Sequence, residues 1–169
     1  MSNPTIIENH VNFVQQGEGA PVILIHGLAA SLFDWADLLP ALASNGYAGY
    51  ALDLLGHGES YKPANLDDYH VEKVFDHFCF WLERLGISAP LILVGHSLGG
   101  YLAMEYALRY PERVRALVLG NPFYSLQQLP PLLRIRYKGP LINTEMIERT
   151  PEWAIRLAID FTSLSIRNG

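Results

Sequence analysis

Two hydrophobic rhythms alternate along this chain. Short unbroken apolar runs rich in Val, Ile and Leu, at Val22 to His26, Gly49 to Leu54 and Leu91 to Gly95, read as strands buried on both faces, and Ala116 to Gly120 resembles them. From Val71 to Leu85 the period changes. Val71, Val74, Phe75, Phe78, Leu82 and Leu85 recur at steps of three and four, with Glu72, Lys73, Asp76, Glu83 and Arg84 largely off the stripe, which predicts an amphipathic helix. Asp67 or Asp68 is placed to cap that helix and Gly86 to end it. Pro40 suits the first turn of an earlier helix that Gly46 terminates. Strands and helices alternating at this spacing predict βαβ units: an α/β fold with a mostly parallel sheet and helices on both faces. The stretch from Ile6 to Val14 is expected to add one or two antiparallel edge strands.

Beyond Asn121 the rhythm is lost. Prolines at 122, 130, 131 and 140 interrupt the chain, and Thr150-Pro-Glu then opens a predicted helix through roughly Thr162. The chain therefore divides into a βα region, 1–123, and a region with helical pieces but no strand pattern, 124–169. It has no internal repeat and no low-complexity tract.

Composition narrows the classes. Of 169 residues, 50% are hydrophobic and 17% charged, enough apolar material for a sizeable core. The formal charge of -5 comes from interspersed acids and no basic cluster tracks phosphates, which argues against nucleic acid as a partner. Cys79 is the one cysteine, so an intrachain disulfide and a cysteine metal cage are excluded; no metal and no cofactor is expected, and a reducing, cytoplasmic setting fits. The first residues carry neither a basic n-region nor an apolar h-region, and no apolar run approaches the about 20 residues of a membrane span.

The sharpest chemical signal is Gly95-His96-Ser97-Leu98-Gly99-Gly100, a GxSxG sequence after an apolar strand and before a predicted helix, Leu98 to about Arg109. A serine on such a strained turn needs small neighbours two residues either side, or their side chains collide with nearby backbone. At the helix start it also lies beside N–H groups and the positive end of the helix dipole, where an oxyanion is stabilised, with the Leu98 N–H as first donor. His26-Gly27-Leu28 closes an earlier strand, and its turn offers a second donor, the Leu28 N–H. The His26 imidazole is read as fixing that loop by hydrogen bonds. Asp53-Leu-Leu-Gly56-His57-Gly58-Glu59-Ser60 is a glycine-punctuated loop at a strand end.

These three landmarks, in this order and with Ser31 and Trp35 after the first, resemble the α/β-hydrolase superfamily over roughly residues 5 to 123. The resemblance implies the family's mostly parallel sheet, a serine nucleophile at Ser97, an oxyanion hole from the Leu28 and Leu98 N–H groups, and a helical cap beginning near 124. Related haloalkane dehalogenases and epoxide hydrolases place an aspartate at the nucleophile position, so Ser97 argues for acyl chemistry: esters, thioesters, amides, lactones, or carbon–carbon cleavage beside a carbonyl. His26, Gly27, Phe33, Trp35, His96, Asn121 and Phe123 are candidates to line the pocket. The aromatic ones suggest a small-molecule substrate with an apolar acyl group.

One part of the pattern is missing. The family order is nucleophile, acid, histidine, yet the six histidines, at 10, 26, 57, 70, 77 and 96, all precede Ser97. The carboxylates after it, Glu105, Glu112, Glu145, Glu148, Glu152 and Asp160, fall in predicted helices or their flanks rather than at a strand end, where Asn121 stands instead. A neutral amide cannot stabilise an imidazolium as a carboxylate does. His57 and His96 are the substitute bases to weigh, although the His96 ring should point away from the turn. The expected picture is a hydrolase core truncated after about six strands, a fragment with little turnover, since loss of the base removes about 10⁴ to 10⁶ of rate. Its last apolar strand would be a bare edge prone to self-association. The competing reading is a non-catalytic module that keeps the pocket to bind a small molecule.

Overall fold

The computed structural model describes residues 10–123, and in them the predicted rhythm becomes β1 (Phe13–Gln16), β2 (Ala20–Ile25), α1 (Leu38–Ser44), β3 (Tyr47–Leu52), α2 (Val71–Arg84), β4 (Leu91–His96), α3 (Leu98–Arg109) and β5 (Val114–Gly120). The expected cap region, 124–169, with its helix from Thr150, lies outside the described residues, as do residues 1–9. The strands form one sheet in the order β1-β3-β2-β4-β5. β2, β3, β4 and β5 run parallel, and β1 pairs antiparallel with β3 as the edge strand foreseen near Val14.

Period-two alternation on β2 sets the layers. Ile23 and Ile25 face one core with Leu52 of β3, against Val74, Phe75, Phe78, Trp81 and Leu82 of α2 and Leu102, Ala103 and Tyr106 of α3. Val22 and Leu24 face the other with Ala51, against Leu39 of α1 and Leu32 of the preceding 3₁₀ turn, Leu32–Trp35. Helices therefore cover both faces, as a parallel sheet requires. Burying the five α2 side chains is worth on the order of 10 kcal/mol before entropy is counted.

Helix punctuation differs from expectation in one place. α2 is capped by neither Asp67 nor Asp68: a 3₁₀ turn, Leu66–Tyr69, intervenes, and His70 is the N-cap residue without a side-chain bond. Its carbonyl accepts the N–H groups of Lys73 and Val74 instead. α1 starts at Leu38, which puts Pro40 in its first turn, as expected. The ends are as read. Gly46 and Gly86 follow their helices with φ of 78° and 64°, a region that favours glycine.

Candidate functional site

Because four strands run parallel, the loops after β2, β3, β4 and β5 meet at one edge of the sheet, where ligands bind in open α/β folds. Ser97 lies between β4 and α3 with φ 51° and ψ -113°, outside the conformations a non-glycine residue prefers. Its N–H donates to Gly120 O at 3.0 Å, and its carbonyl accepts from Tyr101 N–H at 3.1 Å and Phe123 N–H at 2.9 Å. The strained residue is thus pinned from both sides. Serine is a favoured helix cap, yet the Ser97 hydroxyl makes no capping bond, because its backbone is not in the extended N-cap conformation. The first N–H groups of α3, Leu98 among them, have no acceptor inside the helix.

The glycines of the turn answer to close contacts. A Cβ on Gly99 would sit 2.1 Å from Ile25 O and one on Gly95 2.4 Å from Gly99 O, so α3 starts pressed against the end of β2. The loop after β2 is equally close: a Cβ on Gly27 would lie 3.2 Å from the Ser97 Cβ and 3.1 Å from His96 Nδ1. The Gly27–Leu28 peptide and Ser97 therefore share one small space.

A polar hub fixes the loops behind it. Asp53, 2% exposed, accepts Leu32 N–H at 2.8 Å, Glu59 N–H at 2.9 Å and the Asn12 side-chain amide at 2.8 Å. Burial pushes its pKa up, but the bonds from Asn12, Leu32 and Glu59 outweigh this and hold the carboxyl below its ordinary value. The Ser60 hydroxyl donates to Asp53 O at 2.6 Å and accepts Asn12 N–H at 2.9 Å. Gly58 (φ 49°) packs on the carboxylate, where a Cβ would lie 2.0 Å from an oxygen. The DxxGxGxS spacing thus encodes one knot tying β1, the Leu32 turn and the β3 loop. Sequence reading took it as a turn; the signal was a lone Asp closing an apolar strand.

The histidines divide. His26 is fully buried, its Nδ1 2.7 Å from Gly27 O and its Nε2 accepting Leu54 N–H at 3.0 Å. Burial, the largest influence, holds its pKa below the ordinary value. The ring faces protein atoms, not open space. The His57 Nδ1 is 3.0 Å from Leu55 O and its Nε2 accepts Ala29 N–H at 3.3 Å, so neither nitrogen is left to act as a base for Ser97. His96 is exposed, lying between Gly27 and Gly120.

The remaining pocket candidates are also spread out. Phe33 is 77% exposed and Leu28 50%, while Trp35 packs against the Val22, Leu24 and Leu39 core. Asn121 is exposed with φ 44° and Phe123 is half-buried. A groove of about 450 Å³ lined by Cys79, Leu82, Ile87, Tyr106, Tyr110 and Arg113 lies at the far end of α3, about 15 Å along the helix from Ser97, and belongs to the opposite edge of the sheet. Among the described residues no group of three or more His, Cys, Asp or Glu side chains is placed to hold a metal ion, and no helix is long and apolar enough to cross a membrane.

The five-stranded core, the strained turn after β4 and the loop after β2 are those of a hydrolase fold. Residues 20–153 match the family model described as alpha/beta hydrolase fold, and the chain belongs to that family, as its three motifs led us to expect. It is 40% identical over 142 residues to bifunctional epoxide hydrolase 2 of Sus scrofa, covering 83% of this chain and 25% of that protein. It is 35% identical over 113 residues to the (lyso)-N-acylphosphatidylethanolamine lipase of Homo sapiens, covering 64% and 32%. Among solved structures, an epoxide hydrolase from an endophytic Streptomyces superposes with a TM-score of 0.59 and 36% identity, over 64% of this chain and 33% of that one. The chain spans a quarter to a third of the length of these relatives.

Proposed function

We propose that this chain carries the nucleophile and oxyanion hole of a serine hydrolase acting on a small molecule with an apolar acyl group. Ser97 Oγ attacks the carbonyl, and the Leu28 and Leu98 N–H groups hold the oxygen as it gains charge. The observation that carries this reading is the strained Ser97 backbone between β4 and α3 with a hydroxyl not spent on capping. Phe33 and Leu28, both exposed beside this edge, supply an apolar approach.

Similarity to epoxide hydrolases raises their chemistry as an alternative, and a serine at the proposed nucleophile position argues against it. A carboxylate that opens an epoxide forms an ester, which water can cleave. A serine alkoxide would form an ether, which it cannot. Acyl transfer leaves Ser97 as an ester that hydrolysis can clear, and the lipase relative is named for a substrate of acyl type.

A second reading, a binding module that keeps the pocket without turnover, has one observation in its favour: the ring nitrogens of His26 and His57, on the loops beside Ser97, are already engaged. Covalent labelling reads the serine itself rather than turnover, and is the test that separates the two readings. A fluorophosphonate is expected to add one adduct by intact mass, lost in Ser97→Ala. A folded chain that takes no label, or labels equally in Ser97→Ala, sinks the nucleophile reading. The exposed apolar β5 supports self-association through that edge, which light scattering over a concentration series would reveal.

A further inference from the structure

We propose that His26 and His57 are a pair of positioning residues that together lock the Gly27–Leu28 peptide, and with it the direction of the Leu28 N–H, each as its Nδ1–H tautomer. The assignment deepens the serine-hydrolase reading and rests on it for its consequence, not for its geometry. Each imidazole bridges a carbonyl and an amide. Gly27 O lies 2.7 Å from His26 Nδ1 and Leu55 O lies 3.0 Å from His57 Nδ1, and a carbonyl can only accept, so both Nδ1 atoms carry the hydrogen. Leu54 N–H and Ala29 N–H face the two Nε2 atoms and can only donate, so both Nε2 atoms are bare. The rings lie 5.1 Å apart between centroids, so the pair joins the loop after β2 to the loop after β3.

Peptide planarity turns these bonds into an orientation. Gly27 C=O and Leu28 N–H belong to one trans peptide and point in opposite directions. Holding the carbonyl against His26 therefore turns the N–H away from the buried ring. His57 grips the next peptide through Ala29 N–H, and Ala29 has a φ of 57°, which an L-residue holds only when its surroundings force it. A flip of the Gly27–Leu28 peptide would break the first bond, and relaxation of Ala29 would break the second. Burial, which keeps His26 uncharged near neutrality, preserves the pattern. Without the two rings the donor peptide is free to turn, and an oxyanion hole with a turned donor does not form.

The test uses the full chain with ring-¹⁵N histidine and two variants. The unmutated protein is expected to show His26 and His57 as Nδ1–H tautomers. His57→Leu, which cannot accept Ala29 N–H, should speed exchange of the Ala29 amide about tenfold and slow fluorophosphonate labelling of Ser97 by about ten- to a hundredfold. His57→Gln offers a carbonyl oxygen at similar reach and should recover most of both. The proposal is overturned by Nε2–H tautomers in the unmutated chain, by unchanged Ala29 exchange in His57→Leu, or by Gln and Leu variants that behave alike. Should the unmutated chain take no label at all, the nucleophile reading fails, while tautomers and amide exchange still decide the clamp.

Discussion

β2 and β5 are both runs of Val, Leu and Ile-type residues, yet their fates differ. Ile23, Leu24 and Ile25 are fully buried, between β3 and β4 and between α1 on one face and α2 with α3 on the other. Leu117, Val118 and Leu119 of β5 are 38%, 54% and 37% exposed, and among the described residues β5 pairs with β4 alone. The carboxyl ends differ in the same sense. β2 and β3 end in the bonded network of His26, His57 and Asp53, whereas the end of β5 is held through backbone bonds to Ser97, from Ser97 N–H to Gly120 O and from Phe123 N–H to Ser97 O. Ser97 thus sits on a seam, with a braced side and an open side. A strand's own hydrophobicity sets its formation; its coverage depends on the elements packed around it.

The largest effect should come from cutting the braced side at its hub. Asp53→Ala leaves three donors, on Asn12, Leu32 and Glu59, without their acceptor, and hydrogen bonds to a charged group are worth about 1.5–3 kcal/mol each. With partial relaxation the expected loss is about 4 kcal/mol, read from urea unfolding. A loss under about 1 kcal/mol would mean that the knot braces nothing.

Acid should weaken the same side in two stages. His26 has a depressed pKa in the fold, so on lowering pH the unfolded chain takes up its proton first and stability falls once pH drops below the ordinary value of 6.5. His77, buried in α2 and likewise depressed chiefly by desolvation, adds to this stage. Asp53 is also held low, so its contribution is complete above the ordinary value of 3.8 and fades as pH falls through it toward the folded value. Melting temperature followed from pH 8 to pH 3 should fall in both windows, and His26→Asn should flatten the first. A melting temperature that rises on acidification through 6.5 contradicts the buried-neutral assignment.

What the sequence made legible was whatever has a period or a forced geometry. The β2, β4 and β5 runs, the α2 stripe and the turn around Ser97 were readable because alternation, 3.6-residue spacing and crowding at Gly95 and Gly99 leave few alternatives. The role of Asp53 was not, since its partners stand 41 residues before it and 21 before and 6 after it in a chain with no local mark on them. His57 was hidden for the same reason: a histidine in a glycine loop has no sequence signature for a backbone N–H 28 residues away. The α2 cap was misplaced because Asp67 and Asp68 fall in a separate 3₁₀ turn, and capping propensity cannot see where one helix ends and another begins.

The smallest effect should come from the open side, and it tests the contrast most directly. Truncating a fully buried leucine such as Leu24 loses its transfer energy and leaves a cavity, about 2–5 kcal/mol in all. Val118→Ala removes carbon that is already 54% exposed, and is expected to cost about 0.5 kcal/mol or less. Matched urea unfolding of the two variants gives the ratio, which the present exposures set near an order of magnitude. A Val118→Ala loss approaching that of Leu24→Ala would mean that β5 is covered in solution. If that loss also grows with protein concentration, the cover is a second copy of the chain, because stability borrowed from association follows mass action whereas intramolecular packing does not.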